Sequence, residues 1–188
     1  MEMTVSIGLF TIVLFISTSA FLAVINADRK SRATRIAIDN LNLSLEDMSR
    51  RIKTGTTYNC GGGATGVADC LAGGTTLAIT DQNNERVIYK RGQGTGVITT
   101  GNNASGCGNA GFTGTQGCLV RDKAGVALAV TGKDIDIQSL RFIVNGTAPL
   151  PETTQPYVVV SVDGITTAGK ITSEFKLQTM VTQRMYDI

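Results

Sequence analysis

The first 53 residues form a helical pattern whose chemistry changes halfway, and this pattern constrains the fold more than any other feature. Residues 3–25 carry no charged side chain, and a run of this length can cross a bilayer, which needs about 20 residues. No proline interrupts the run, and Gly8 near its start is its only glycine. Because the next helix-breaking residue is Gly55, we predict one continuous helix roughly 75 Å long, at about 1.5 Å per residue.

The second half of this predicted helix is amphipathic. Charged residues begin at Asp28, and apolar residues then recur at spacings of three and four, which is one face of a helix. This apolar stripe consists of Ile38, Leu41, Leu45, Met48 and Ile52. We therefore divide the chain into an apolar helix at 1–27, an amphipathic helix at 28–53, and a globular domain at 54–188. Three acid-first pairs four residues apart support the helix: Asp28–Arg32, Glu46–Arg50 and Asp47–Arg51.

Composition argues against several function classes. The chain has no histidine, which removes the commonest general base, the usual nucleophilic triads and most catalytic zinc sites. No phosphate-binding loop or nucleophile-and-base arrangement takes its place, so we expect neither an enzyme nor a bound cofactor. The net charge of +2 is close to neutral and gives no general case for nucleic-acid binding.

The four cysteines favour two disulfides in an oxidising compartment. Cysteine zinc sites usually have pairs two to four residues apart, whereas the spacing here is wider, so a four-cysteine zinc site is disfavoured. Of the three possible pairings we favour Cys60–Cys70 with Cys107–Cys118, because each bond would close a short glycine-rich loop. Buried free thiols are the remaining alternative.

The region after the helix is rich in β-strand signals. We predict a loop over 54–74, hairpins that pair 76–80 with 86–91 and 118–122 with 126–131, and a short strand at 97–100. A glycine-rich excursion at 101–117 and three further strands, at 135–145, 157–162 and 171–183, complete the pattern. The expected fold class is α+β, with an antiparallel sheet packed on the second half of the long helix.

The first hairpin turn raises the question of a calcium site. Asp81, Asn83 and Glu85 place oxygen ligands at alternate positions. A calcium loop of the EF-hand type needs glycine at its sixth position and glutamate at its twelfth, where this chain has Arg86 and Gly92. We therefore expect a plain turn and no metal site.

The N-terminal sequence Met1-Glu2-Met3-Thr4-Val5-Ser6-Ile7-Gly8-Leu9-Phe10 resembles the start of mature type IV pilins and type II secretion pseudopilins. In that family a glutamate opens an otherwise apolar helix, and Glu2 matches it. The remainder looks more like J-type minor pseudopilins and large minor pilins. That likeness is carried by Tyr89, by Cys118-Leu119-Val120-Arg121, by the DIDIQSLRFIV run within Asp134 to Val144, and by Phe175-Lys176-Leu177-Gln178-Thr179 leading to Arg184.

The resemblance implies a structural subunit that waits in the bacterial inner membrane and then joins an extracellular or periplasmic filament. Its partners would be copies of itself or other pilin subunits, and Glu2 would pair with the terminal amine of a neighbour. An unpaired carboxylate in apolar surroundings costs several kcal/mol, so such pairing would be energetically favourable. The expected assembly residues are Glu2, Met3, Val5, Ile7, Leu9, Phe10, Val13 and Leu14. Whether the subunit is a major or a minor, tip-type component stays open.

A second hypothesis keeps the helix only as a membrane anchor. The glycine-rich loops at 60–70 and 107–118 would then contact a ligand or a surface, and the chain would not polymerise. One pattern opposes an extracytoplasmic domain: the basic cluster at 29–35 follows the apolar run, and the positive-inside rule alone would place it in the cytoplasm.

Overall fold

The computed structural model describes residues 2–61, 66–108, 111–147, 155–168 and 171–184. A single helix, α1, spans Glu2–Thr54, which confirms the predicted continuous helix. The helix ends where Gly55 follows, and its last carbonyls find partners outside the helix. The Tyr58 hydroxyl donates to the Ile52 carbonyl at 2.6 Å, and the Arg184 amide donates to the Lys53 carbonyl at 2.8 Å. These bonds satisfy acceptors that a helix end otherwise leaves free.

Strands of the described segments form two antiparallel sheets. The five-stranded sheet has the order β1-β3-β4-β5-β6, and the four-stranded sheet has the order β2-β7-β8-β9. The strand bounds are Thr56–Cys60 for β1, Cys70–Gly74 for β2, Thr76–Thr80 for β3, Arg86–Gln93 for β4, Gly117–Lys123 for β5, Val126–Ala129 for β6, Ile135–Asn145 for β7, Tyr157–Ala168 for β8 and Ile171–Thr182 for β9. The expected α+β class and both predicted hairpins are confirmed.

Three local predictions are wrong. The segment 54–74 is not one loop, because it contains β1 and β2, and these lie at the edges of different sheets. Two sheets therefore replace the single expected sheet. Residues 97–100 form no strand, because their backbone is engaged locally: the Gly106 amide donates to the Val97 carbonyl at 3.0 Å, and the Thr99 amide to the Ser105 hydroxyl at 3.0 Å.

The hydrophobic core lies between the second half of α1 and both sheets. Leu41, Met48 and Ile52 are buried in it, as the apolar stripe predicts, and Leu45 packs against it while half-buried. Ile38 is only half-buried, and the buried residue at the N-terminal end of the stripe is Ala37. The largest buried sheet residues that meet this face are Leu77, Ile79, Tyr89, Leu119, Ile135, Ile137 and Phe142.

Two disulfides join Cys60 to Cys70 and Cys107 to Cys118, with Cα–Cα distances of 5.7 Å and 5.9 Å. This is the pairing that the loop lengths favoured. The first bond links β1 to β2 and therefore connects the two sheets covalently. The second ties the glycine-rich excursion to β5 and lies in a small second apolar cluster with Phe112 and Val120.

Candidate functional site

The first half of α1 stands clear of the globular domain. Every side chain from residue 2 to residue 24 is exposed. Large apolar side chains lie on all sides of this segment; Met3 is 83% exposed and Phe15 is 79% exposed. A helix that is apolar all round is stable only when lipid or protein covers it. α1 contains one stretch that is long and apolar enough to cross a membrane.

The expected assembly residues all lie on this exposed segment. The apolar members are Met3, Val5, Ile7, Leu9, Phe10, Val13 and Leu14, with exposed fractions between 48% and 83%. Glu2 is exposed and opens the first turn of the helix, where a negative charge is favourable to the helix dipole. No described residue of the domain buries these side chains or forms an ion pair with Glu2, so the partner of Glu2 stays a prediction.

Four hydroxyl groups of the exposed segment donate hydrogen bonds to carbonyls of the same helix. Ser6 donates to the Glu2 carbonyl at 3.0 Å, Thr18 to the Leu14 carbonyl at 2.8 Å, and Ser19 to the Ile16 carbonyl at 2.8 Å. Thr11 bonds the carbonyls of the preceding turn in the same way. Because these four hydroxyl protons have partners, Ser6, Thr11, Thr18 and Ser19 can enter an apolar environment at little cost.

Polar contacts hold the second half of α1 against the hairpins of the five-stranded sheet. Asp47 lies at the centre, since Arg121 of β5 donates to it at 2.7 Å and Arg51 of the helix at 3.1 Å. Lys123 contacts Asp81 at 2.9 Å. We call the group Asp47, Arg51, Asp81, Arg121 and Lys123 the stem latch. The nearby Ser44 hydroxyl adds a bond of 2.8 Å to the Val130 carbonyl.

The stem latch favours the charged forms of its carboxylates. Burial raises the pKa of Asp47, but hydrogen bonds from Arg51 and Arg121 outweigh it and hold that pKa below its ordinary value. The hydrogen bond from Lys123 lowers the pKa of Asp81, and two backbone amides of the turn act in the same direction. The latch is therefore ionised at neutral pH.

The turn that carries Asp81 is held by hydrogen bonds and ion pairs within the protein. The amides of Asn83 and Glu85 donate to Asp81 Oδ1 at 2.9 Å and 3.1 Å, which is the hydrogen-bonding pattern of an ordinary Asx turn. Its other oxygen meets Lys123 at 2.9 Å. Lys123 also contacts Glu85 at 2.8 Å, and Arg51 lies 3.8 Å from Asp81, so two cations face the two carboxylates of the turn. Among the described residues no cluster of three or more acidic, cysteine or histidine side chains is placed to hold a metal.

A buried lysine organises the glycine-rich excursion. Lys90 is 3% exposed, and its Nζ donates to the carbonyls of Thr99, Gly101 and Asn103 at 2.8, 2.6 and 3.0 Å. All three ammonium protons thus have partners. Asp122 supports the same loop by accepting from the Gly101 amide at 2.5 Å. The sequence pattern does not predict this role, because a lysine within an apolar strand is the only local sign of it.

The site residues thus fall into two groups: an uncovered apolar helix half and a second half fixed to the domain by packing and by the stem latch. A long apolar N-terminal helix with antiparallel sheets after it gives the molecule a pilin-like shape, and the helix fits a membrane anchor. The two disulfides indicate an extracytoplasmic domain. Comparisons with protein-family models, with curated proteins and with solved structures gave no match.

Proposed function

We propose that this protein is a structural subunit of a type IV pilus-like or pseudopilus filament. The observation that carries the proposal is the apolar half of α1, an uncharged run at residues 3–25 whose side chains are all exposed as far as residue 24. A surface of this size and chemistry needs a covering. A membrane supplies it before assembly, and the helices of neighbouring subunits supply it in the filament.

The rest of the molecule suits such a role. The core and the stem latch fix the second half of α1 to the domain, so the exposed half is carried on a rigid body. Packing of the exposed halves would then place the domains on the outside of a bundle of helices. The subunit would work by non-covalent assembly, with Glu2 pairing with the terminal amine of a neighbour in the apolar interior.

Photo-crosslinking in the native cells tests the packing directly. Phe10 and Phe15, at 63% and 79% exposure, would each be replaced by a photoreactive phenylalanine derivative, and filaments would be sheared from the cells and irradiated. We expect products that join this chain to itself or to another filament subunit. The matched control places the same group at Leu43, which is 72% exposed on the second half of α1, and should give far less product.

A substitution at Glu2 tests the register of assembly. We expect Glu2→Ala to reduce the amount of this protein in sheared filaments by about tenfold or more, because the unpaired amine of the neighbour then costs several kcal/mol. The amount in the membrane fraction should not change. Glu46→Ala removes an exposed carboxylate from the other half of the same helix and should leave both fractions unaltered.

The second candidate is a membrane-anchored binding module that does not polymerise. It is favoured by exposed apolar side chains close to the disulfides, Leu71 at 66% and Val97 at 82% exposure, which a ligand or surface could cover.

Quantitative mass spectrometry of sheared filaments separates the candidates. A dominant share of filament mass supports a major subunit, and a trace share supports a minor subunit. Complete retention in the membrane would refute the filament proposal in favour of the anchored module.

A further inference from the structure

A short segment of α1 with exposed charged side chains separates its apolar half from the domain. We call residues 26–36 the neck. On the C-terminal side of the neck, Ala37 is the first helix residue buried by the domain. Ile36, the last residue of the neck, is still 57% exposed. The neck carries Arg29, Lys30, Arg32 and Arg35, all exposed, together with one acid, Asp28. These side chains give the neck a net charge of +3, which is four cations minus one carboxylate, whereas the whole chain carries +2.

We propose that the neck is a binding collar for the headgroups of anionic phospholipids while the apolar half of α1 lies in the membrane. The proposal rests only on the membrane stage of the proposed function and does not require a filament. It assigns a role to the cations whose position conflicts with the positive-inside rule: they are held at the membrane surface by lipid of opposite charge.

The position of the cations along the helix fits the headgroup layer. At about 1.5 Å per residue, Arg29 lies roughly 6 Å beyond Ile25 and Arg35 roughly 15 Å beyond it. The headgroup layer is about 5–8 Å deep on each side of the hydrocarbon core. Helix side chains lean toward the N-terminus, which is the membrane side here, so even Arg35 can reach back to the phosphates.

The position of the cations around the helix favours lipid over a protein partner. Successive residues turn by about 100°, so the four cations lie on different sides of the helix and form a collar. A membrane surface surrounds a helix that crosses it and can engage every side at once, whereas a single protein surface would meet only one side. Asp28 does not cancel the collar, because its 2.9 Å pair with Arg32 is largely solvent-exposed and such pairs are weak.

The test measures which lipid the full chain prefers as its neighbour. The protein would be reconstituted into phosphatidylcholine vesicles that contain a trace of spin-labelled phosphatidylglycerol or spin-labelled phosphatidylcholine, and electron paramagnetic resonance would give the protein-associated fraction of each. At low salt we expect a preference of about fivefold for phosphatidylglycerol, the ratio that corresponds to roughly 1 kcal/mol for one cation at an anionic surface. The preference should fall towards unity in about 1 M salt.

Two charge-matched variants locate the effect. The neck variant carries Arg29→Gln, Lys30→Gln, Arg32→Gln and Arg35→Gln, and we expect it to lose most of the preference. The control variant carries Arg50→Gln, Lys53→Gln, Lys133→Gln and Lys176→Gln, which removes the same charge from exposed positions outside the neck. The control should keep the preference. Near-ultraviolet circular dichroism of the tyrosines verifies that both variants retain the domain.

Three results would overturn the proposal. They are a wild-type chain without preference for phosphatidylglycerol, an equal loss of preference in the control variant, and a neck variant that alters only self-association while its lipid preference is unchanged. The last result would assign the collar to a second copy of the chain. None of these results bears on filament assembly, because the vesicles contain no assembly machinery, so failure here and failure of the proposed function are distinguishable.

Discussion

Asp47 on α1 accepts a hydrogen bond of 2.7 Å from Arg121 on β5, across 74 residues of sequence. The same carboxylate is held by Arg51 one helical turn away, so one acidic side chain joins the helix to β5, the first strand of the β5–β6 hairpin. Because its side chain is 39% exposed, solvent screens the contact. The contact therefore orients the helix on the domain more than it stabilises the fold.

We expect Asp47→Asn to lower the free energy of unfolding by about 0.5–1 kcal/mol at pH 7, the range for partly exposed pairs. The folded-state pKa of Asp47 lies below its ordinary value of 3.8, so this contribution is complete above pH 3.8. It is lost as the pH falls through the lowered value. Urea titrations in detergent at pH 7 and pH 3 measure the difference, and Asp39→Asn, at an exposed position of the same helix, is the control. An undiminished difference at pH 3 would contradict this assignment.

The apolar face of α1 gives a prediction with a matched pair of leucines. Leu41 is 1% exposed and Leu43 is 72% exposed, two residues away on the same helix. Leu41→Ala should cost about 2–5 kcal/mol, because it removes buried methyl groups and leaves a cavity, whereas Leu43→Ala should stay within about 0.5 kcal/mol. Equal effects in chemical denaturation would show that the helix does not pack on the domain through this face.

The Lys90 ammonium should control the order of the glycine-rich excursion. Lys90→Met leaves the carbonyls of Thr99, Gly101 and Asn103 without donors, and we expect a loss of about 2–4 kcal/mol. Hydrogen exchange should quicken at residues 99–106 and remain slow in β8. Lys133→Met, at an exposed position, serves as the control. Unchanged protection at residues 99–106 would show that the three carbonyls have other partners.

Gly106 and Gly96 contact each other, yet we expect alanine substitution to destabilise the protein at only one of these two positions. A Cβ on Gly106 would lie 2.0 Å from the Gly96 carbonyl oxygen, whereas a Cβ on Gly96 would lie no closer than 3.6 Å to Gly106. Gly106→Ala should therefore displace the loop backbone and cost about 1–3 kcal/mol, and Gly96→Ala should be near neutral. Thermal unfolding of both variants checks this; a more damaging Gly96→Ala would mean that the loop packs differently.

The two disulfides close loops of nearly equal length, 10 and 11 residues apart, so loop entropy predicts similar losses of about 2–3 kcal/mol on their removal. Their local effects should differ. Replacing Cys60 and Cys70 by serine should increase hydrogen exchange in both edge strands, β1 and β2. Replacing Cys107 and Cys118 should loosen only the glycine-rich excursion, and faster exchange in β2 of that variant would contradict the separation.

The sequence predicted those elements whose apolar residues repeat with one regular spacing along the chain. The 3.6-residue stripe from Leu41 to Ile52 and the alternation over Ile135–Asn145 each reflect a single buried face, so their bounds and burial follow from the residues. Ala37 was missed because alanine is a weak apolar signal, although it lies four residues before Leu41 and so continues the stripe.

The sequence could not predict features that depend on distant parts of the chain. β2 reads Cys-Leu-Ala-Gly-Gly, which has low strand propensity, and it is a strand because β7 and the disulfide to Cys60 hold it. Residues 97–100 have the composition of a strand, yet β4, the strand that they follow, already has β3 and β5 on its two sides. Within the stem latch the sequence predicted only the Asp47–Arg51 pair, because the other contacts join residues that are far apart along the chain.

The Cys60–Cys70 bond also sets the path that a mechanical load would take through the molecule. From the end of α1 at Thr54, only six residues lead to Cys60, and the disulfide then crosses to the other sheet at β2. A pull on the helix therefore reaches both sheets through covalent bonds before strands β3 to β6 have to separate. While the bond is intact, the chain between the two cysteines is bypassed and bears no tension, so a pull on the helix loads both sheets together.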